Sequence, residues 1–398
     1  MKLRLSWGQL GNQAGIGLYD HYQYINIGGT YPFGNSNNPL KVPNASLGAM
    51  PAVDRTWETI ETYNAGIDFA TLNNRLNGTF DYFIKDNKNM FYAEEFPTIL
   101  GTSAPSINGA HVRTNGWELT LNWKDKIGKV GYRIGFNLSD NKTKVISLSD
   151  SRNPGHGLMG FVEGYPTNSF FIYEFDGFIK DEADLADYKA KMKGGVPTNL
   201  RVGDAKYIDK DGDGVLEPTL YKEGDPNSGD IVYKGTNNQR YLYGINLGLD
   251  WKGIDVSAFL QGVGKWDCIN GTYAGGGEVW KQSSQYFYHN TWSPDRTNAE
   301  YPRLTQDGGI HGYNYQWSDA PYKFFNNRYL RLKEVQIGYT FPTTLTKKIG
   351  VEKLRVYATG MNLLEWDNLP DGFDPEAPYT ENLIPFSRTY SIGVNVQF

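Results

Sequence analysis

Cysteine is nearly absent from this sequence of 398 residues, and the single one is Cys268. One cysteine excludes an intrachain disulfide and a zinc site built from several thiolates. No segment approaches the roughly 20 apolar residues of a membrane helix, which excludes a helical membrane protein. The opening residues MKLRLSWGQ are strand-like and lack the basic and apolar regions of an export signal. The formal net charge of -5 provides no electrostatic reason to expect binding to nucleic acid.

Aromatic residues and glycine are abundant, with 28 Tyr, 20 Phe, 10 Trp and 46 Gly. The main pattern has period two, which places alternate side chains on opposite faces of a β-strand. Alternate residues from Tyr241 to Trp251 are apolar or aromatic, and those between them are mostly small or polar. The alternation resumes at Ile254 after Lys252 and Gly253, which predicts a tight hairpin. Similar segments occur around 63–69, 76–82, 117–123, 132–138, 335–341, 354–361 and 390–398.

Short polar turns alternate with long segments rich in Gly, Pro, Asn and aromatics, at about 20–55, 87–115, 150–235 and 265–325. A helical pattern is confined to Asp181–Lys193, where acidic residues come first and lysines last. Strands of about ten residues with aromatic-capped apolar faces are typical of a transmembrane antiparallel β-barrel with long extracellular loops. A soluble β-sandwich also alternates, but it does not usually place Trp or Tyr at both ends of each apolar face.

Several blocks, in order, resemble the carboxy-terminal barrel half of the SusC/RagA family of TonB-linked outer-membrane transporters. They include LRLSWGQLGNQ, NGWELTLNW, YRIGFNLSDNKTKV, VGDAKYIDKDGDGV and the final YSIGVNVQF. The resemblance implies an outer-membrane protein of the Bacteroidetes type, with a large barrel around an amino-terminal plug. It also implies a SusD-like surface lipoprotein as partner, energy transmitted by TonB, and import of glycans (oligosaccharides) or peptides. It implies no catalytic residues.

The length is too small for a complete plugged barrel of 22 strands. We expect roughly 10 to 14 strands, at about ten residues per strand plus long loops. Residues 1–398 are therefore predicted to be the carboxy-terminal part of such a barrel, a fragment in which the family's plug domain has no counterpart. Within it, residues 150–235 are predicted to form a long extracellular loop region with a short helix and an acidic loop.

The acidic loop DKDGDGVLE begins at Asp209 and resembles an EF-hand in its spacing. Asp209, Asp211, Asp213 and Glu217 take positions 1, 3, 5 and 9, and a glycine takes position 6. Position 12 is Leu220 instead of the usual bidentate glutamate, so either the coordination is incomplete or a more distant acid such as Glu223 or Asp225 completes it. The motif predicts a Ca²⁺ site that orders the loop. The alternative is a solvated Asp-Gly turn without metal.

A second candidate site is the aromatic-rich segment from 277 to 325. Flat apolar rings can stack on sugar rings while neighbouring amides and carboxylates bind the hydroxyls. The alternative is packing between loops or against a partner lipoprotein. The predicted substrate-binding residues are Trp280, Tyr286, Tyr288, Trp292 and Trp317.

Catalytic patterns are weak. The five histidines are scattered and form no HExxH pair, which argues against a zinc hydrolase. Pairs such as Glu94 with Glu95, or Asp367 with Asp371, would be needed for a polysaccharide-degrading enzyme, an alternative that the sequence does not favour. A secreted or surface carbohydrate-binding β-protein is the other alternative. It fits the aromatics and the acidic loop but predicts polar outer strand faces.

Overall fold

Antiparallel β-strands dominate the structure. The computed structural model describes residues 1–34, 40–48, 50–52, 54–93, 99, 105–149, 154–269, 285–369, 374–376 and 386–398, and of residues 285–287 it describes the backbone alone. The strands are β1 (Lys2–Asn12), β2 (Ile25–Phe33), β3 (Leu40–Leu47), β4 (Glu58–Thr71), β5 (Leu76–Ala93), β6 (Ser106–Ile127), β7 (Val130–Leu148), β8 (Gly157–Met159), β9 (Ser169–Tyr173), β10 (Phe175–Phe178), β11 (Ala205–Tyr207), β12 (Ile231–Thr236), β13 (Arg240–Trp251), β14 (Ile254–Lys265), β15 (Asp267–Ile269), β16 (Phe324–Asn326), β17 (Tyr329–Thr340), β18 (Lys353–Trp366) and β19 (Thr389–Gln397).

Ten of these strands form one antiparallel sheet in the order β1-β4-β5-β6-β7-β13-β14-β17-β18-β19. At one end of the sheet the connections are mostly tight. At Lys252 and Gly253, for example, both φ angles are positive, 48° and 89°, as a two-residue hairpin requires. At the other end, long segments join β1 to β4, β7 to β13 and β14 to β17. Because outer-membrane barrels have short periplasmic turns, the end with long connections is the extracellular one.

In its lower part, towards the short turns, the sheet has two faces of different polarity. The outer face is apolar, and one row of laterally paired residues crosses eight strands. This row consists of Phe69, Gly78, Leu121, Phe136, Ile245, Leu260, Leu332 and Leu364. Outer-face side chains such as Ile337 and Ile392 are 54% and 83% exposed, and nothing in the described part of the chain covers them. Apolar residues this exposed suit a face that is in contact with lipid.

Above the sheet, two long connections fold together into what we call the extracellular unit, residues 154–236 and 285–327. It contains β8 to β12, β16 and the helices α1 (Glu182–Lys191), α2 (Gln285–Asn290) and α3 (Gly308–Asn314). Helix α1 lies where the sequence predicts one, and the carboxylate of Asp181 caps it by accepting a hydrogen bond from the backbone N–H of Asp184. A fourth helix, α4 (Thr343–Thr346), with a 3₁₀ turn over Lys347–Ile349, lies at the short-turn end. No helix among the described residues is long and apolar enough to cross a membrane.

The main hydrophobic core lies in the extracellular unit. Phe171, Ile179, Ile231 and Ala205 are fully buried there, and Ile310 and Tyr313 of α3 pack against the same cluster. A smaller cluster around Val263 and Cys268 lies where the sheet meets this unit. The sheet therefore presents its apolar residues to lipid, and the extracellular unit buries its own.

Two predicted loops contain regular structure. In the segment 87–115, β5 continues to Ala93 and β6 begins at Ser106. In the segment 20–55, β2 and β3 form a separate two-stranded sheet. The extensions of β5 and β6 cannot be predicted from the sequence, because these two strands rise above the apolar band. Neither face needs to be apolar there, and the alternation disappears.

Candidate functional site

The inner face of the sheet carries a row of side-chain amides. Asn77, Asn122 and Asn246 lie on three strands at one level, separated by Gly135, and the row continues to Phe259 and Glu334. The missing side chain at Gly135 leaves room for its neighbours, because a Cβ there would lie 3.2 Å from Oδ1 of Asn122 and 3.4 Å from Cβ of Asn246. A groove of about 510 Å³ lies along this row. Its open amides can bind hydroxyl or peptide groups.

Charged groups on the inner face are mostly neutralised in pairs. Arg4 donates to Asp68 and Asp81, each at 2.8 Å. Arg355 donates to Asp255 through Nε at 3.0 Å and to the side-chain oxygen of Gln336 at 2.7 Å. These ion pairs lie on the same inner face as the groove but outside its lining.

A buried ion pair joins the two segments of the extracellular unit. Asp204 is fully buried, and one of its oxygens accepts from Arg303 at 2.9 Å while the other accepts from the amide of Asn314 at 2.9 Å. A buried carboxylate needs such donors to offset the loss of water. The contacts hold β11 against α3 and the segment before it. Sequence reasoning missed this pair because its members lie far apart in the chain and neither belongs to a recognisable motif.

A second cluster that the sequence does not predict connects β17 to the following extracellular segment. Arg331 is 1% exposed and donates to Asp374 at 2.7 Å and to Glu365 at 3.0 Å. Arg331 lies in a strand face that is otherwise polar. The sequence therefore offers no pattern from which its burial could be predicted.

The acidic loop brings together three of its four predicted ligands. Oxygens of Asp209, Asp211 and Asp213 lie within 4.8 Å of one another, whereas Glu217 is outside this group. The loop is ordered by its own backbone. Asp209 accepts from the N–H groups of Gly212 and Gly214, each at 2.8 Å, and Asp213 accepts from Val215 at 2.6 Å.

Asp230 supports the acidic loop from inside the unit. Its carboxylate is fully buried and accepts from the backbone N–H groups of Lys210 at 2.5 Å and Glu217 at 2.7 Å. Burial raises the pKa of Asp230, and the nearby charges of Asp209 and Asp211 raise it further. A cation bound at the loop would offset this accumulation of negative charge.

The structure separates the five predicted aromatic residues. Trp280 lies outside the described residues, and so does the side chain of Tyr286 in α2. Tyr288 is 63% exposed and available to a ligand. The indole of Trp292 packs on Gly203, and that of Trp317 packs on Gly157 and against the cluster of Phe170 and Ile172. The placement of the two tryptophans fits packing between loops, and that of Tyr288 fits a ligand contact. Their role as a group stays a prediction.

Of the weak catalytic candidates, Glu94, Glu95 and Asp371 lie outside the described residues. Among the histidines, His111 binds Asp86 through Nε2 at 2.8 Å, at the outer rim of the sheet.

Comparisons with known proteins agree with this architecture. A family model described as a TonB-dependent receptor-like β-barrel matches residues 1–170. TonB-dependent receptor P3 of Formosa agariphila is 27% identical over 369 residues, which cover 86% of this chain and 34% of the relative. TonB-dependent receptor SusC of Bacteroides thetaiotaomicron is 25% identical over 431 residues, covering 100% of this chain and 37% of SusC. The predicted resemblance to TonB-dependent receptors of the SusC/RagA type is confirmed.

The solved structure of the RagAB peptide transporter has the same fold. It superposes with a TM-score of 0.74 at 22% identity, over 100% of this chain and 41% of that chain. The chain thus spans well under half the length of the relatives it matches. The predicted partial antiparallel barrel and the outer-membrane location are confirmed. These relatives are named as receptors and a transporter, in agreement with the prediction of a non-enzymatic protein. The soluble carbohydrate-binding alternative predicted polar outer faces, and the apolar outer row argues against it.

Proposed function

We propose that the complete protein imports glycans (oligosaccharides) or peptides across the outer membrane. The observation that carries this proposal is the contrast between the two faces of the sheet, apolar outside and lined by a row of amides inside. Side-chain amides donate and accept hydrogen bonds, so they can bind sugar hydroxyls or peptide groups equally well. The name of one similar structure, the RagAB peptide transporter, supports peptides, and glycans are implied by the resemblance to the SusC/RagA family.

Import against a gradient requires energy and a means of capturing solute. We propose that TonB supplies the energy through the part of the protein that precedes this barrel region, and that a SusD-like surface lipoprotein captures the solute. The resemblance to the SusC/RagA family supports both partners. Purification of the tagged protein from native outer membranes should yield a surface lipoprotein in stoichiometric amount. Its absence under mild detergent conditions would argue against the lipoprotein partner.

Uptake assays test the import proposal. Deleting the gene in its native host should abolish uptake of one class of labelled solute, either oligosaccharide or peptide. The double variant Asn122→Leu/Asn246→Leu should reduce that uptake, because it removes two amides of the inner row. The matched control Leu121→Ile/Ile245→Leu changes neighbouring residues on the outer face and should leave uptake intact. Unchanged uptake of both solute classes in the deletion strain would contradict the proposal.

We also propose that the acidic loop binds Ca²⁺ and thereby orders the extracellular unit. The carboxylates of Asp209, Asp211 and Asp213 provide the hard oxygen ligands that calcium prefers. Glu217 would contribute through a bridging water, as position 9 often does in such loops. Terbium luminescence should show a saturable site that Asp209→Asn/Asp211→Asn removes and that Asp295→Asn, an exposed carboxylate outside the acidic loop, retains. Equal terbium signals in all three proteins would show that the loop binds no metal.

We propose further that exposed aromatics of the segment 277–325 contact the solute. Tyr288 is the described residue best placed for this role, and Trp280 and Tyr286 belong to the same segment. Tyr288→Ala should weaken solute binding severalfold, whereas Trp317→Phe, a change in a packed residue, should leave it unchanged. The opposite result would support a packing role for Tyr288.

A further inference from the structure

Above the apolar band, the outer face of β4 to β7 carries charged residues in a regular arrangement. One row of laterally paired positions consists of Glu61, Asp86, Arg113 and Lys144, and Lys142 lies one position lower beside Asn115. We call Arg113, Lys142 and Lys144 the outer basic cluster. Arg113 and Lys144 are direct cross-strand partners, an arrangement of like charges that is unfavourable unless a counter-charge lies nearby.

Part of this charge is neutralised within the protein. Asp86 accepts from Arg113 at 2.8 and 3.0 Å and contacts His111 at 2.8 Å. Glu61 accepts from Lys88 at 2.6 Å. By contrast, Lys142 and Lys144 are exposed and have no carboxylate within 4.0 Å among the described residues. The cluster therefore has two positive charges that the described protein does not balance.

The height of the cluster places it at the boundary of the membrane. Trp123 marks the short-turn end of the outer face of β6, and Arg113 lies ten residues further along the same strand. Ten residues span roughly 34 Å along a strand, and a tilt of about 40° reduces this to roughly 26 Å across the membrane. That height is close to the apolar band of outer-membrane barrels, about 25 Å. The aromatic residues Tyr82 and Trp117 lie on the same face directly below, where interfacial rings are expected.

An apolar groove adjoins the cluster on the same face. Its volume is about 420 Å³, and its lining includes Trp7, Tyr63, Ala65, Tyr82 and Ile84. The small side chain of Ala65 leaves space between the larger ones. Ile84 pairs with Asn115, and Asn115 pairs with Lys142, so the groove is two strands, or roughly 10 Å, from Lys142.

We propose that the outer basic cluster binds the anionic headgroup of an outer-leaflet lipid, with an acyl chain of that lipid in the adjoining groove. Charge complementarity selects an anion, and a groove open to the apolar band selects a lipid over a soluble ion. The proposal depends on the location of the barrel in the outer membrane and is independent of the proposed import function.

Binding to the complete transporter, purified in detergent, tests this assignment. The probes are lipid A, phosphatidylcholine and inorganic phosphate. Lys142→Gln/Lys144→Gln should bind lipid A about 25-fold more weakly, because each lysine lost reduces the affinity to roughly one fifth. Lys142→Arg/Lys144→Arg should retain binding. The control Lys124→Gln/Lys126→Gln removes the same charge near the opposite end of β6 and should have no effect. Phosphatidylcholine should bind equally to all four proteins.

A variant with increased affinity provides a second test, because misfolding cannot explain a gain in binding. Asn115→Lys adds a further cation between Ile84 and Lys142 and should tighten lipid A binding about fivefold. Ala65→Phe should weaken it by filling the groove without a change in charge. Equal lipid A affinity in the wild type and the double glutamine variant would overturn the proposal. Competition by inorganic phosphate at the same concentration as lipid A would overturn it too, in favour of a soluble-anion site.

Discussion

The ten-stranded sheet and the extracellular unit use apolar side chains in opposite ways. In the sheet, residues such as Ile337 and Ile392 project outward and stay exposed, because lipid replaces the rest of the protein as their apolar surroundings. In the extracellular unit, Phe171 and Ile231 are fully buried in a core, because water surrounds that part of the chain. The same apolar residue types therefore form a lipid-facing surface in the sheet and a buried core in the extracellular unit.

Ionic groups differ in the same way between the two regions. On the inner face of the sheet, pairs such as Arg4 with Asp68 remain about one-third exposed. In the extracellular unit, Asp204 is fully buried and Arg303 nearly so. A pair of the first kind sets the polarity of a surface, and a pair of the second kind holds two segments together.

The largest expected effect concerns the buried pair. Asp204→Ala should destabilise the extracellular unit by about 3–5 kcal/mol, because it leaves Arg303 buried without its counter-charge. Arg75→Ala, which breaks the exposed contact with Asp125 near a short turn, is the control and should cause no measurable loss. Hydrogen exchange of the complete protein measures both. Equal protection in Asp204→Ala and wild type would contradict a role for this pair in joining the segments.

A matched pair of phenylalanines compares burial in protein with burial in lipid. Phe171→Ala should cost about 3–5 kcal/mol, since it leaves a cavity in a packed core. Phe136→Ala on the outer face should cost clearly less, because lipid chains can fill the space. Urea unfolding followed by tryptophan fluorescence in detergent gives both values. Similar losses would mean that the outer face is packed against protein.

Adjacent residues on one strand test the assignment of the two faces. Leu121→Arg should destabilise the barrel by about 2–4 kcal/mol, because it places a charge at lipid depth. Asn122→Arg, one residue further on, faces the groove and should be tolerated. Heat-modifiable electrophoretic mobility separates folded from unfolded protein. A stable Leu121→Arg protein with an unstable Asn122→Arg protein would reverse the faces.

The smallest effect is a dependence of the extracellular unit on pH. Burial raises the pKa of Glu174, but the ammonium groups of Lys210 and Lys234, at 2.5 and 2.6 Å, outweigh it and hold the pKa below its usual range. A lowered carboxyl pKa stabilises the folded state above the unfolded pKa of about 4.3, and this stabilisation is lost as pH falls through the folded pKa. Glu174→Gln should therefore flatten the loss of thermal stability below about pH 4. An unchanged acid profile would show that Glu174 makes no such contribution.

Much of the sheet is predictable from the sequence because its rules are local. The hairpin through Lys252 and Gly253 forms as predicted, with Trp251 opposite Ile254. The ends of β5 and β6 are hidden because their alternation stops above the apolar band. The acidic loop is visible as a motif, since its ligands lie within five residues of one another. The outer basic cluster is not, because its residues come from two strands whose register must be known first.

The sequence by itself determined the alternation of faces, the tight turns and the spacing of Asp209, Asp211 and Asp213, because each depends on residues near one another in the chain. Only the tertiary structure decided which apolar residues face lipid and which form a core. It also decided which distant charges meet, as Asp204 and Arg303 do. The physical reason is that burial and electrostatic pairing depend on distances in space. For residues far apart in the chain, those distances are set only when the strands pair in register.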